Sequence, residues 1–262
     1  MGERTSHSPG TFSWVDLSTS DPDAAKQFFS GLFGWEYDDR PVGDGNVYTM
    51  CRLGGGDVCA LSAQREQERS MGVPPHWNNY VTVADVGASS ARARELGGNL
   101  LMEPFDVLEA GRMSVVADPA GASFCMWQPR ESIGATVVNV PGALTWNELA
   151  TKDIPGAKDF YGPLFGWEFQ DMDTGDGPAY SIVRNGDRSN GGIREQSDAE
   201  AGMPSYWLPY FGVDTADESA ARARELGGNV LAEPMTVPAG RFAALADPQG
   251  AAFAVFEGDF DD

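Results

Sequence analysis

The sequence predicts an α+β chain of four strand–helix–strand–strand–strand (βαβββ) modules, arranged as two tandem copies of about 130 residues. Two observations predict it. The first is internal repetition, the strongest organising signal a sequence can carry. "ARARELGGN" stands at Ala91–Asn99 and again, unchanged, at Ala221–Asn229. "LFGWE" at Leu32–Glu36 returns at Leu164–Glu168, and "ADPAGASF" at Ala117–Phe124 returns as "ADPQGAAF" at Ala246–Phe253. The near-constant offset means that loops changed length while the order of elements did not. The second observation is that one copy repeats its own grammar of strand and helix signals.

In copy one, "TFSWVDLST" alternates and is rich in aromatic and β-branched residues, which reads as a strand. Asp21 caps the next helix, Pro22 suits its first turn, and Gly34 ends it. Ala25, Phe28, Phe29 and Leu32 form that helix's apolar face. A short strand at "WEY" and strands at "NVYTMCRL" and "DVCALSA", joined by "GGG", complete the module. The same grammar then recurs. "NNYVTVAD" is a strand, Asp85 caps the helix "VGASSARAREL", and Gly97 and Gly98 stop it. "LLMEPFDV", "RMSVVAD" and "SFCMWQP" follow as strands, with "DPAG" turning between the last two. "GDGNVY" and "TGDGPAY" read as hairpin turns. The predicted organisation is copy one at 1–130 with modules near 11–63 and 78–128, a linker at 131–141, and copy two at 142–262 with modules near 142–195 and 206–257. Each copy is large enough to bury its own core.

The net charge is −21, and both copies are acidic: 17 acidic against 10 basic residues up to Arg130, and 22 against 8 beyond it. No basic patch is present for a phosphate backbone or an anionic lipid surface, so nucleic acid and membrane partners are not expected. Cys51, Cys59 and Cys125 all lie in copy one and have no counterparts in copy two, which does not read as a disulfide framework. With no apolar signal segment in "MGERTSHSPG", a cytoplasmic location is expected.

The strand followed by D-x-x-x-A-x-x-F-[FY] and "LFGWE", together with the ADP-x-GA-x-F close, resembles the glyoxalase/bleomycin-resistance/extradiol-dioxygenase (vicinal oxygen chelate) superfamily. "PPHWNNYVTVADV" and "MPSYWLPYFGVDT" are similar, more narrowly, to two-domain glyoxalase-like proteins labelled hydroxylases. The resemblance implies half-barrel mixed sheets, each built from paired modules around a cavity. It also implies pairing of the two domains within one chain, as a monomer or a homodimer. In enzymatic members the cavity holds a divalent metal on His, Gln or Glu ligands, and the metal polarises substrate oxygens. Those ligand positions fall on Trp14, Asn78 and Cys125 in copy one, and on Trp146, Leu208 and Ala254 in copy two. None of these is a hard-metal set. His7 and His76, the two histidines, lie in the tail and before a strand. The expectation is therefore no metal and no other cofactor.

Two residues beyond each tryptophan stands a carboxylate, Asp16 and Glu148, and period two puts each acid on the face of its tryptophan. A carboxyl in an apolar pocket has a raised pKa and is suited to proton transfer or to hydrogen-bonding a ligand; the alternative is a structural acceptor at an interface. Trp35 and Trp167 read as core. Trp77 and Trp207, beside Tyr80 and Tyr210, fit either the core or a pocket for a flat ligand. Arg112 and Arg241, each in "AGR", fit pairing with a carboxylate of their own copy better than meeting an anion. Two functions follow, and a structural protein with filled cavities is a third. The first is a metal-free binder of a small aromatic or hydrophobic ligand, contacted by Trp14, Trp146, Asn78, Trp77, Trp207, Tyr80, Tyr210 and Cys125. The second is a lyase- or hydroxylase-type enzyme using Asp16 or Glu148 as acid or base.

Overall fold

The computed structural model of the chain describes residues 2–43, 45–175 and 177–260. Asp44 and Asp176, which belong to the two predicted hairpin turns, lie outside these residues, as do the last two of the second copy. Copy one contains β1 (Phe12–Thr19), α1 (Pro22–Phe33), β2 (Glu36–Gly43), β3 (Asn46–Leu53), β4 (Gly56–Ala63), α2 (Glu66–Ser70), β5 (His76–Thr82), α3 (Val86–Glu95), β6 (Asn99–Val107), β7 (Gly111–Ala117) and β8 (Ser123–Pro129). Copy two contains β9 (Leu144–Thr151), α4 (Ile154–Phe165), β10 (Glu168–Asp171), β11 (Tyr180–Asn185), β12 (Arg188–Glu195), β13 (Tyr206–Gly212), α5 (Ala216–Glu225), β14 (Asn229–Val237), β15 (Gly240–Ala246) and β16 (Ala252–Gly258). The predicted caps are in place: Asp21 accepts from Ala24 N at the start of α1, and Asp85 from Ala88 N at the start of α3. The helix α2 and a one-turn 3-10 helix at Asp198–Glu200 are additions to the sequence reading. They are too short to leave a periodic signal.

Each copy forms one eight-stranded mixed sheet, ordered β2-β3-β4-β1-β5-β8-β7-β6 and β10-β11-β12-β9-β13-β16-β15-β14. Within each module the first strand runs parallel to the last, and the two modules of a copy join through the antiparallel pairs β1–β5 and β9–β13. This is the half-barrel arrangement of two βαβββ modules, present twice. The long helices α1, α3, α4 and α5 cover one face of their sheets; the short α2 and the 3-10 helix reach the opposite face through Glu68, which accepts from Ser18, and Glu200, which accepts from Arg194.

The copies meet through their helical faces and share two hydrophobic cores. In one, Phe28 and Phe29 of α1 pack with Trp35 and Trp77 against Phe211, Phe253, Ala220 and Ala223 of copy two. In the other, Phe160 and Tyr161 of α4 pack with Trp167 and Trp207 against Val81, Ala93 and Phe124 of copy one. Matching anchors cross the seam: Trp35 Nε1 donates to the Gly142 carbonyl and Trp167 Nε1 to the Gly10 carbonyl, each at 2.7 Å.

The duplicated "ELGGN" is explained here. Gly97 and Gly227 have φ of +90° and +87°, the left-handed conformation that ends a helix with least strain in glycine. Gly98 and Gly228 serve a different end. A Cβ on Gly98 would lie 2.9 Å from the Phe160 ring, and one on Gly228 would lie 2.7 Å from the Phe28 ring. The second glycine of each pair thus admits the other copy's helix. The segment at 131–141 lies against copy one, with Ala135 N donating to the Ser13 carbonyl, and bridges to copy two through Pro141 and Gly212.

Candidate functional site

Register on the central strands decides which side chains face away from the long helices. Trp14 stands opposite Tyr80, Asp16 opposite Asn78, and Tyr80 beside Cys125 on β8. Because strand side chains alternate, these five share one face, where Trp14, Tyr80 and Cys125 pack with Met50 and Trp127. By the same parity Trp77 points the other way. Trp77 and Trp207 therefore belong to the inter-copy cores, not to a ligand pocket; Trp77 packs on Phe29 and Phe211, and Trp207 on Phe12 and Tyr161. In copy two, Trp146, Leu208, Tyr210 and Ala254 cluster on the face opposite the long helices with Tyr206 and Phe242.

In copy one the site centres on Asp16, which is only 6% exposed. Asn78 Nδ2 donates to Oδ1 at 2.8 Å, while the Tyr80 and Tyr48 hydroxyls donate to Oδ2 at 2.7 and 2.9 Å. Trp14 Nε1 donates in turn to the Tyr48 hydroxyl at 2.9 Å. Every donor is neutral. Burial pushes the Asp16 carboxyl above the usual aspartate value, and the three donors work against that rise. The same burial, with Asp16 alongside, drives the Tyr48 and Tyr80 phenols and the Cys125 thiol well up.

Copy two keeps the skeleton and changes the chemistry. Tyr210 donates to Glu148 Oε1 at 2.8 Å, and Trp146 Nε1 donates to the Tyr180 hydroxyl at 3.2 Å. Here, however, Arg194 Nε donates to Glu148 Oε1 at 2.9 Å. The same guanidinium grips Glu200 through two bonds of 2.8 and 2.6 Å and donates to the Tyr206 hydroxyl at 3.0 Å, and that hydroxyl donates to Glu200. Burial raises Glu148 above the usual glutamate value, against the pull of Arg194 and Tyr210. Arg194 and Tyr206 hold Glu200 far below that value. In copy one the place of Arg194 is taken by Ser62, and Glu68 accepts from the Ser18 hydroxyl at 3.2 Å.

Tyr48, Tyr180, Arg194, Glu200 and Tyr206 are functional-face residues that sequence reasoning missed. Tyr48 and Tyr180 did carry a signal, since "YTMCR" and "YSIVR" occupy matching places. Arg112 and Arg241 turn to carboxylates of their own copies: Arg241 forks onto Asp217 at 2.6 and 2.9 Å, and Arg112 lies 3.9 Å from Asp106.

The ligand positions implied by the family resemblance do not suit a divalent cation. Trp14, Trp146, Leu208 and Ala254 offer no donor. Asn78 is committed to Asp16, and the Cys125 thiol is held protonated by burial. Among the described residues, no three His, Cys, Asp or Glu side chains converge as a metal site. No helix among them is long and apolar enough to cross a membrane.

The sheet order and the repeated module define a tandem vicinal-oxygen-chelate fold. The chain belongs to the Glyoxalase/Bleomycin resistance protein/Dioxygenase superfamily, whose pattern matches residues 11–126 and again 143–255. It is 44% identical over 259 residues to "Putative glyoxylase CFP32" of Mycobacterium bovis, covering 98% of both chains. It is 36% identical over 264 residues to the "Anthracycline biosynthesis protein DnrV" of Streptomyces peucetius, covering 97% of this chain and 95% of that one. Two solved structures share the fold: the Mn(II)-bound glyoxalase from Novosphingobium aromaticivorans and the 2,3-dioxygenase LapB from Pseudomonas. The first has a TM-score of 0.64 at 18% identity, covering 97% of this chain and 85% of that one. The second has a TM-score of 0.66 at 13% identity, covering 96% and 94%.

Proposed function

We propose that the chain is a small-molecule-binding protein that receives an aromatic or hydrophobic ligand on the face of the copy-one sheet opposite α1 and α3, with Asp16 as its polar anchor and no metal. The observation that carries this reading is Asp16 itself: a buried carboxyl on the same sheet face as Trp14, held by three neutral donors. A carboxyl with a raised pKa can offer a ligand either a proton or a lone pair. The indole of Trp14 and the ring of Tyr80, each 7% exposed, pack beside it. Copy two is the weaker candidate, because a ligand that bonds Glu148 must compete with Arg194. The name of the Streptomyces peucetius relative makes an anthracycline a rational first probe.

A second reading is an enzyme in which Asp16 acts as general acid or base. The raised Asp16 carboxyl favours it; Glu148 suits that role less, since protonating it would break its ion pair with Arg194.

Tryptophan-fluorescence titration with an anthracycline and a panel of smaller aromatic alcohols and acids tests the proposal. The wild type should show saturable quenching, and Trp14→Phe and Asp16→Asn should weaken it about tenfold or more. Absence of saturable quenching by every compound overturns the binding function. Turnover of a bound compound that vanishes in Asp16→Asn would favour the enzyme.

A further inference from the structure

We propose that the seam between the copies carries a second binding site, for a small oxyanion of carboxylate or phosphate type gripped by Arg4 and Arg188. It lies outside the Asp16 face of copy one and does not depend on the reading above. A cavity of about 150 Å³ opens between the N-terminal segment, the linker and the β11–β12 hairpin, and no Asp or Glu lines it. Such a space admits water and a small carboxylate or phosphate group.

The charges are the argument. In a chain of net charge −21, most Lys and Arg side chains stand against a carboxylate, as Lys26, Arg52, Arg94, Arg130 and Arg194 do. Among the described residues, Arg4, Arg65, Lys152, Arg184 and Arg188 form no ion pair with a carboxylate, and of these Arg4 and Arg188 line this cavity. Arg4 spends one N–H on the Glu3 carbonyl at 3.0 Å; the rest of its fork is uncommitted. A guanidinium is permanently charged and matches the planar spread of oxyanion oxygens. His7, beside them, bonds the Ala135 carbonyl at 2.8 Å, and burial with Arg4 nearby lowers its pKa, so the arginines carry the recognition.

The wall is built and not incidental. Asn185 Nδ2 donates to the Pro9 carbonyl and to Thr11 Oγ1, each at 3.1 Å. Asn190 receives Phe12 N at 3.2 Å and donates to the Gly10 carbonyl at 2.9 Å. Residues 9–12 are thereby fixed across copy two, while Arg4 N donates to the Thr136 carbonyl of the linker at 2.8 Å, and Arg4 and Arg188 line the same cavity. The site is also a departure from the repeat. In copy one the position of Arg188 is Gly56, where a Cβ would lie 2.4 Å from Val137 Cγ2, so that side of the seam is filled by the linker. The second copy has gained a cation where the first is closed.

The test is calorimetric titration of the full chain with inorganic phosphate and, separately, acetate, at constant ionic strength. We expect saturable millimolar binding of at least one anion, and its identity assigns the source of the oxyanion. Arg188→Gln and Arg4→Gln should each weaken that binding about tenfold. Arg69→Gln removes the same charge from the distant α2 and should leave binding unchanged. Failure of both anions to saturate the wild type overturns the site. So does an equal loss in Arg69→Gln, which would mark a general charge effect. Arg188 is exposed in a hairpin, so its variant is expected to fold.

Discussion

Phe29→Tyr should stabilise the protein, because one inter-copy core lacks a hydroxyl that the other has. In the core built by α4, Trp207 Nε1 donates to the Tyr161 hydroxyl at 2.9 Å, and that hydroxyl donates to Asp118 Oδ2 at 3.0 Å. The matching positions in the α1 core are Trp77, Phe29 and Asp247, where Trp77 Nε1 and Asp247 Oδ2 are buried without a partner. The rings are posed alike. Phe29 meets Trp77 at 5.6 Å and 78°, and Tyr161 meets Trp207 at 5.4 Å and 83°. Both also stack at 23° on the tryptophan that follows their helix. A hydroxyl on Phe29 would thus reach the two orphaned atoms. Each buried unsatisfied group costs about 1–3 kcal/mol. Allowing for about 1 kcal/mol of overpacking, the expected gain is about 2 kcal/mol, or about 4–8 °C in Tm at about 2–4 °C per kcal/mol. Tyr161→Phe orphans Trp207 Nε1 and Asp118 Oδ2 and should cost about 2–4 kcal/mol. Urea unfolding and calorimetry of both variants at pH 7 read these shifts. A Phe29→Tyr variant less stable than wild type, with Tyr161→Phe unchanged, would refute the reasoning.

Gly98→Ala and Gly228→Ala should each lose about 1–3 kcal/mol in urea unfolding, since the new methyl meets a phenyl ring of the other copy inside 3 Å. Arg194→Met should cost about 3–5 kcal/mol by stranding Glu148 and Glu200, and adding Glu148→Gln should recover the Glu148 part of it in the same assay. The native pKa of Asp16 lies above its unfolded value of about 4. Its contribution to stability is therefore fully present below about pH 4 and is lost as pH rises through the native pKa. The stability of wild type minus that of Asp16→Asn should accordingly fall as pH climbs from about 4, and a rising difference would contradict the burial of Asp16.

The sequence carried the modules, the caps and the pairing of Trp14 with Asp16, because these rest on local periodicity and on repetition. The same parity assigns Trp77 to the opposite face from Asn78 and Tyr80, so its place was also legible. The cross-copy contacts were not. The glycines of "ELGGN" look like helix stops until Phe160 and Phe28 are seen lying on Gly98 and Gly228. Arg194 has Ser62 as its counterpart, so no repeat flagged it, and its bonds to Glu148 and Glu200 arise only when β12 is laid beside β9.

The most direct test of the central claim is the stoichiometry of ligand binding by calorimetry, with and without a strong chelator. The account predicts one ligand per chain, insensitive to chelation and weakened about tenfold or more by Asp16→Asn but not by Glu148→Gln. Binding that disappears on chelation and returns with added Mn(II) would contradict it.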